Sequence, residues 1–409
     1  MGNALEFYDF VVYAFFAVYI GPAFFPPNAP MRGVLAALAV FGVGFVARPV
    51  GAVAMGIYAD RHGRRPTLLL TMGVIAVATT LIALLPTYAQ IGLAAPALLV
   101  LCRLAQGFAY GAEVGPATAY MLEAAPSSRT GLYCSTLFAG QGLAACVAGV
   151  MGSGLASILT ADDMQSWGWR VPFAAGAALT PVALHLRRHM PETMPAARGE
   201  ARAVARPNRR RGVAVNIALF TIVLIGGTVA NYVGTYLSTY AATTLAIPMP
   251  QALSTAFFVG AATLAFGLLG GWLSDIVGRR PVLVWSRLVC TALAVPAFVF
   301  LTEHPGAVAL WTVASLLAAA NALTGGALFA AIPESFEGRQ RATAMSIVYA
   351  SGVALFGGST PFVVAWLIER TGNVVAPGWY MLATGAVASL ATLALSESNP
   401  AMRRHREES

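Results

Sequence analysis

Five charged side chains lie inside otherwise apolar stretches of this chain: Glu6, Asp9, Arg48, Arg103 and Glu113. A charge held away from water is costly, so such groups serve chemistry or pair with one another. A guanidinium suits a carboxylate ligand, which it grips through two parallel hydrogen bonds while staying charged at any physiological pH. A carboxyl suits proton exchange, because burial raises its pKa and a nearby arginine lowers it. The other use for all five is structural ion pairing. At about 100° per residue, Arg103, Gln106, Tyr110 and Glu113 share one face of a helix. Asn3, Glu6, Asp9 and Tyr13 share a second, and Thr228, Asn231, Tyr232, Thr235 and Thr239 a third. Polar faces are unfavourable against lipid, so all three are expected to point at a wet central cavity. The threonines serve equally well as glue between helices. The expected ligand contacts are therefore Arg103, Arg48, Gln106, Tyr110, Asn3, Asn231, Tyr232 and Thr235. The expected proton-exchanging groups are Asp9 and Glu113, with Glu6 a further candidate.

The elements that position these residues are written in the composition. Of 409 residues, 58% are hydrophobic and 10% charged, with mean hydropathy +0.71. A soluble domain carries roughly 25% charged residues, so this chain is read as membrane-embedded. Residues 68–85 and 213–229 lack any charge, as membrane-spanning helices of about 18 or more residues do. Spans are expected at 3–22, 33–58, 66–85, 93–123, 130–159, 168–186, 213–239, 251–274, 281–301, 307–332, 343–369 and 378–396. Arg48 then lies roughly 22 Å into the second span at 1.5 Å per residue. Between the halves, 187–212 reads as an Arg-rich linker able to bind anionic lipid, and 397–409 as a polar tail.

There is no lysine, and the 25 basic residues other than histidine are arginines. Twenty of them are grouped with the stretches before the third, fifth, seventh, ninth and eleventh spans and with the tail. Three (Arg32, Arg170, Arg370) fall on the opposite loops, leaving Arg48 and Arg103 inside spans. That asymmetry places both termini and the linker in the cytoplasm. The segment from Gly2 has no basic region ahead of it and does not read as a cleavable signal; the first span is expected to begin at the chain end. Cys102, Cys134, Cys146 and Cys290 have no metal-ligand spacing and read as small packing residues.

The chain repeats itself. GIYADRHGRRP (56–66) recurs as GWLSDIVGRRP (271–281), 215 positions later, each copy joining the second and third span of its half. Two six-helix halves, 1–186 and 213–396, follow. The first copy resembles the signature loop of the major facilitator superfamily: all-α, twelve transmembrane helices in two bundles. GNALEFYDF (2–10), GFVARPVG (44–51) and RLAQGFAYGAE (103–113) are similar to metabolite/proton symporters within it. QIGLAAPALL (90–99), WGWRVPF (167–173), FGGSTP (356–361) and PGWY (377–380) resemble the citrate and tricarballylate branch. The resemblance implies a monomeric, multi-pass protein of the bacterial inner (plasma) membrane that imports an organic acid with protons, sodium being the other coupling ion to consider. Wider relatives carry 2-oxoglutarate, shikimate, aromatic acids, proline or betaine. The second signature copy departs in having Ile276 after Asp275, and the seventh and tenth spans match the citrate branch weakly.

The signature loops read as gates. Gly56, Asp60, Gly63, Arg64 and Arg65 form one set, and Gly278, Asp275, Arg279 and Arg280 the other. Glu123 with Arg129, and Glu334 with Arg341, flank the loops after the fourth and tenth spans. Ion pairs across the halves would close one side; fixing topology is their other role. No phosphate-binding loop, metal site or catalytic triad is present, so an enzyme, an ATP-driven pump and a nucleic-acid binder are not expected, and no cofactor is. The expected function is import of a tricarboxylate. The alternatives are another organic acid, a zwitterion, and a transporter-like sensor.

Overall fold

The computed structural model describes residues 2–26, 30–62, 64–111, 114–126, 128–178, 212–337 and 340–399. The linker apart from Gly212, the tail beyond Asn399, Gly63 and Glu113 lie outside these residues. So do the side chains of Asn3, Glu6, Asp60, Arg64, Arg65 and Glu123 and the surroundings of Gly56, and with them the roles expected of these residues.

Continuous apolar sequence leaves the backbone only one way to satisfy its polar groups in lipid, the helix. The first half holds α1 (Gly2–Phe15), α2 (Ala17–Phe24), α3 (Pro30–His62), α4 (Arg64–Leu84), α5 (Tyr88–Ile91), α6 (Ala94–Tyr110), α7 (Val114–Ala124), α8 (Thr130–Ile158), α9 (Ala161–Asp163) and α10 (170–178). The second holds α11 (Val213–Thr243), α12 (Met249–Val277), α13 (Arg279–Glu303), α14 (Ala307–Glu334), α15 (Arg341–Thr371) and α16 (Ala376–Ala394). Grouped by span, they make twelve passes. Among the described residues seven helices are long and apolar enough to cross a bilayer, and the α1–α2 pair makes an eighth.

One span differs from the continuous helix expected. The first is broken at Phe16, where α1 and α2 meet at 73°. Neither glycine nor proline marks the break, and Pro22 lies six residues further on. The fourth span is described as α6 and α7, on either side of residues 112 and 113, which lie outside the described residues; Arg103 and Gln106 are on α6.

The halves meet along helices stripped of side chains. α8 against α12 is the most extensive helix contact among the described residues. A Cβ added to Gly142 would stand 2.7 Å from the Gly260 carbonyl oxygen, so the backbones touch. Gly42 of α3 meets Gly358 of α15 in the same way. Small residues that let helices approach closely are the usual basis of packing in lipid, where apolar side chains gain nothing from leaving it.

Candidate functional site

Close approach of α3 and α6 sets the site. A Cβ on Gly107 would overlap the Gly44 carbonyl oxygen, and one on Gly51 the Phe108 carbonyl oxygen. Arg48 and Arg103, one on each helix, are thereby brought over the same aromatic cluster. The Phe10 ring has the Arg48 Cζ at 4.5 Å and the Arg103 Cζ at 4.8 Å from its centroid. Arg48 also lies 3.9 Å from the Phe45 ring centroid, and Arg103 3.7 Å from that of Tyr13. Desolvated cation–π contacts of this kind are each worth up to about 2 kcal/mol. They hold the cations by ring faces and leave part of each hydrogen-bonding edge uncommitted.

Those edges are informative. Arg103 is fully buried, and its Nη1 donates to Gln106 Oε1 at 2.8 Å, while Nε and Nη2 meet no acceptor. Gln106 Nε2 donates to Thr79 Oγ1 at 2.9 Å, and the Thr79 hydroxyl donates to Asp9 Oδ2 at 2.5 Å. A single line of hydrogen bonds therefore runs Arg103–Gln106–Thr79–Asp9 across α6, α4 and α1, every donor pointing toward the carboxylate. The other Asp9 oxygen and the Tyr110 hydroxyl have no partner. Gly176 of α10 packs onto Asp9: an added Cβ there would lie 2.5 Å from Oδ1.

Arg48 looks across to the second half. Tyr232 of α11 and Tyr349 of α15 stand beside Arg48. Among the described residues no carboxylate forms an ion pair with Arg48 or Arg103. Thr228, Asn231 and Tyr232 line one cavity, as their shared helical face requires. The Thr235 hydroxyl instead donates to the Asn231 carbonyl at 3.1 Å, a bond within its own helix.

A second cluster occupies the end of the bundle that carries the signature copies. Asp275 accepts from the backbone amides of Gly131 at 2.8 Å and Leu132 at 2.9 Å, at the N-terminus of α8. That is the favoured place for an anion on a helix. Arg279 bonds Asp275 at 2.7 Å and grips both oxygens of Glu334, at 2.8 and 3.0 Å. Thr130 of the first half donates to Glu334 at 2.8 Å. Glu334 thus pairs with Arg279, whereas Arg341 donates to the Phe336 carbonyl at 3.3 Å and Arg129 stands exposed ahead of α8. Gly278 turns the chain at φ +106°, a value glycine alone adopts readily. The Glu397 carboxylate then caps α13 through the amides of Arg279 and Arg280 at 2.8 and 3.0 Å. The segment expected to open a polar tail at 397 is part of this cluster, since Ser398 also donates to Glu334 at 3.2 Å.

The family profile of the Major Facilitator Superfamily matches residues 10–266 and 249–409, two overlapping segments that together cover nearly the whole chain. The chain belongs to the Major Facilitator Superfamily. It is a multi-pass membrane transporter, not an enzyme. It is 35% identical over 398 residues to the citrate-proton symporter of Klebsiella pneumoniae, covering 96% of this chain and 89% of that one. It is 29% identical over 417 residues to the proline/betaine transporter of Salmonella typhimurium, covering 97% and 82%. The xylose transporter XylE from E. coli, in a partially occluded inward-open conformation, superposes with a TM-score of 0.79 at 17% identity over 97% of this chain and 96% of that one. The last comparison speaks to the shared superfamily fold.

Several site residues escape sequence reasoning. Thr79 and Tyr349 look like ordinary polar residues of apolar helices. Arg287 falls within the expected ninth span, 281–301, although the count of loop arginines includes it; it is buried inside α13. Its position seven residues beyond Arg280, about 10 Å along the helix, is the signal that marks it.

Proposed function

We propose that this transporter imports a tricarboxylate such as citrate or tricarballylate together with protons, by alternating access. The observation that carries the reading is the directed line of hydrogen bonds from Arg103 through Gln106 and Thr79 to Asp9. With Asp9 ionised, every donor is drawn toward the carboxylate and Gln106 holds the Arg103 edge. A proton on Asp9 removes the charge at the end of the line, loosens Gln106 and releases Arg103 Nη1, which joins the unpartnered Nη2 in facing a substrate carboxylate. Proton and anion then favour each other's binding, which is what symport requires. Co-transported protons also offset anionic charge that an inside-negative potential repels.

Similarity to citrate-proton symporters supports the same reading. A zwitterion such as betaine, suggested by the proline/betaine relative, would need aromatic faces open to its ammonium group. Here the faces of Phe10, Phe45 and Tyr13 are taken by guanidinium groups, which favours an anion. Both termini are assigned to the cytoplasm of the inner membrane by the arginine asymmetry. The Asp275–Arg279–Glu334 cluster is then a gate on that side.

The test uses liposomes with an imposed inward proton gradient. Labelled citrate should accumulate, tricarballylate should compete, and Asp9→Asn should keep exchange of citrate while losing accumulation. Full accumulation by Asp9→Asn would place coupling elsewhere. Competition by succinate, 2-oxoglutarate or shikimate in place of tricarballylate would move the substrate.

A further inference from the structure

Arg287 belongs to neither cluster. It is 1% exposed, and its Nε and Nη2 hydrogens meet no acceptor. No carboxylate among the described residues forms an ion pair with it. Asn321 of α14 lies beside it, donating its amide to the Gly227 carbonyl at 3.2 Å while its Oδ1 receives no donor. Gly227 of α11 makes room: an added Cβ would stand 2.9 Å from Arg287 Nη2. Three helices thus converge on a guanidinium and leave one edge open. A purely structural arginine closes its donors on backbone carbonyls, as Arg170 does on Ser166 and Leu85.

Arg287 lines a cavity whose wall also contains Asn231, Tyr232 and Tyr349. The same two tyrosines stand beside Arg48. One cavity therefore has a guanidinium of the second half on one side and, behind a pair of tyrosines, a guanidinium of the first half on the other. We propose that Arg287 is a second carboxylate-binding pole, so that the substrate must carry carboxylates toward both halves. The unpaired Asn321 oxygen suits a hydroxyl or a protonated carboxyl of the same acid. This rests on the reading of the first-half arginines as an anion site, and adds what selects a polycarboxylate over a monocarboxylate. A ligand gripped from both sides also draws the halves together.

Binding of tricarballylate, glutarate and butyrate to the full-length protein in lipid nanodiscs is the test. Wild-type protein should prefer tricarballylate to butyrate by roughly a hundredfold, as two lost charge-assisted contacts imply. Arg287→Gln should weaken tricarballylate about tenfold or more and butyrate by less than about threefold, narrowing the preference. Arg287→Lys keeps the charge without the planar fork; it should restore part of the loss and serves where the glutamine variant does not fold. An undiminished preference in both variants overturns the assignment of Arg287 and leaves the first-half anion site standing. A uniform loss for all three acids with a lower melting temperature marks Arg287 as structural and also overturns it. A wild-type protein indifferent to carboxylate number overturns both readings.

Discussion

Thr79 joins the Asp9 carboxyl to the Arg103 guanidinium through one hydroxyl and one amide. Thr79→Val removes that hydroxyl at nearly constant volume and leaves Gln106 Nε2 and Asp9 Oδ2 without their partner. Its expected result is citrate binding within about threefold of wild type, with the pH dependence of binding flattened, because a merely packing threonine would not alter coupling between sites. Isothermal titration of citrate at several pH values checks it; an unchanged slope against pH would remove Thr79 from the line. Arg103→Ala should lower citrate affinity at least about tenfold, since a charge-assisted bidentate contact is lost. At this scale the sequence was most legible where a charge stood against an apolar background, as with Asp9, Arg48 and Arg103. Thr79 was hidden because a threonine in a membrane helix ordinarily bonds its own backbone, as Thr80 does with the Ala76 carbonyl. Arg287 was hidden because arginines near a span end ordinarily belong to the loop.

Helices deliver these residues through close crossings. Arg48 and Arg103 are brought to the Phe10 ring because α3 and α6 touch at Gly44 and Gly107. Gly107→Ala forces backbone apart at that crossing and is expected to destabilise the protein by about 1–3 kcal/mol or more. It should also weaken citrate binding although residue 107 does not touch the ligand. Melting curves and titration in nanodiscs measure both; unaltered stability and affinity would show that the crossing relaxes freely. Span existence and order were legible, because an apolar run of sufficient length has one solution in lipid. The break at Phe16 was not, because it has no proline or glycine at its apex. It sits where α1 and α2 pack on different neighbours, α8 and α3, a tertiary cause that leaves no local mark.

On the proposed alternating-access cycle the two halves separate at one side and then the other, so contacts that span them set the balance. Asp275 of the second half caps α8 of the first, and Thr130 of the first half reaches Glu334 of the second. Asp275→Asn weakens the acceptor shared by Arg279 and two helix amides. The expected result is a larger population with the signature end open. Spin labels on exposed Ser128 and Ile276 should then show longer distances. An unaltered distance distribution would reduce the cluster to a structural anchor. The duplicated signature was legible because its spacing and place between spans repeat; the partners Glu397 and Thr130 were not, because only folding brings them to Arg279. The central claim, that proton binding at Asp9 and anion binding at Arg103 are one coupled event, is tested most directly by citrate accumulation in liposomes under an inward proton gradient, wild type beside Asp9→Asn. The account predicts gradient-driven accumulation in the wild type, and in the variant exchange of citrate without accumulation. Equal accumulation by both proteins would contradict it.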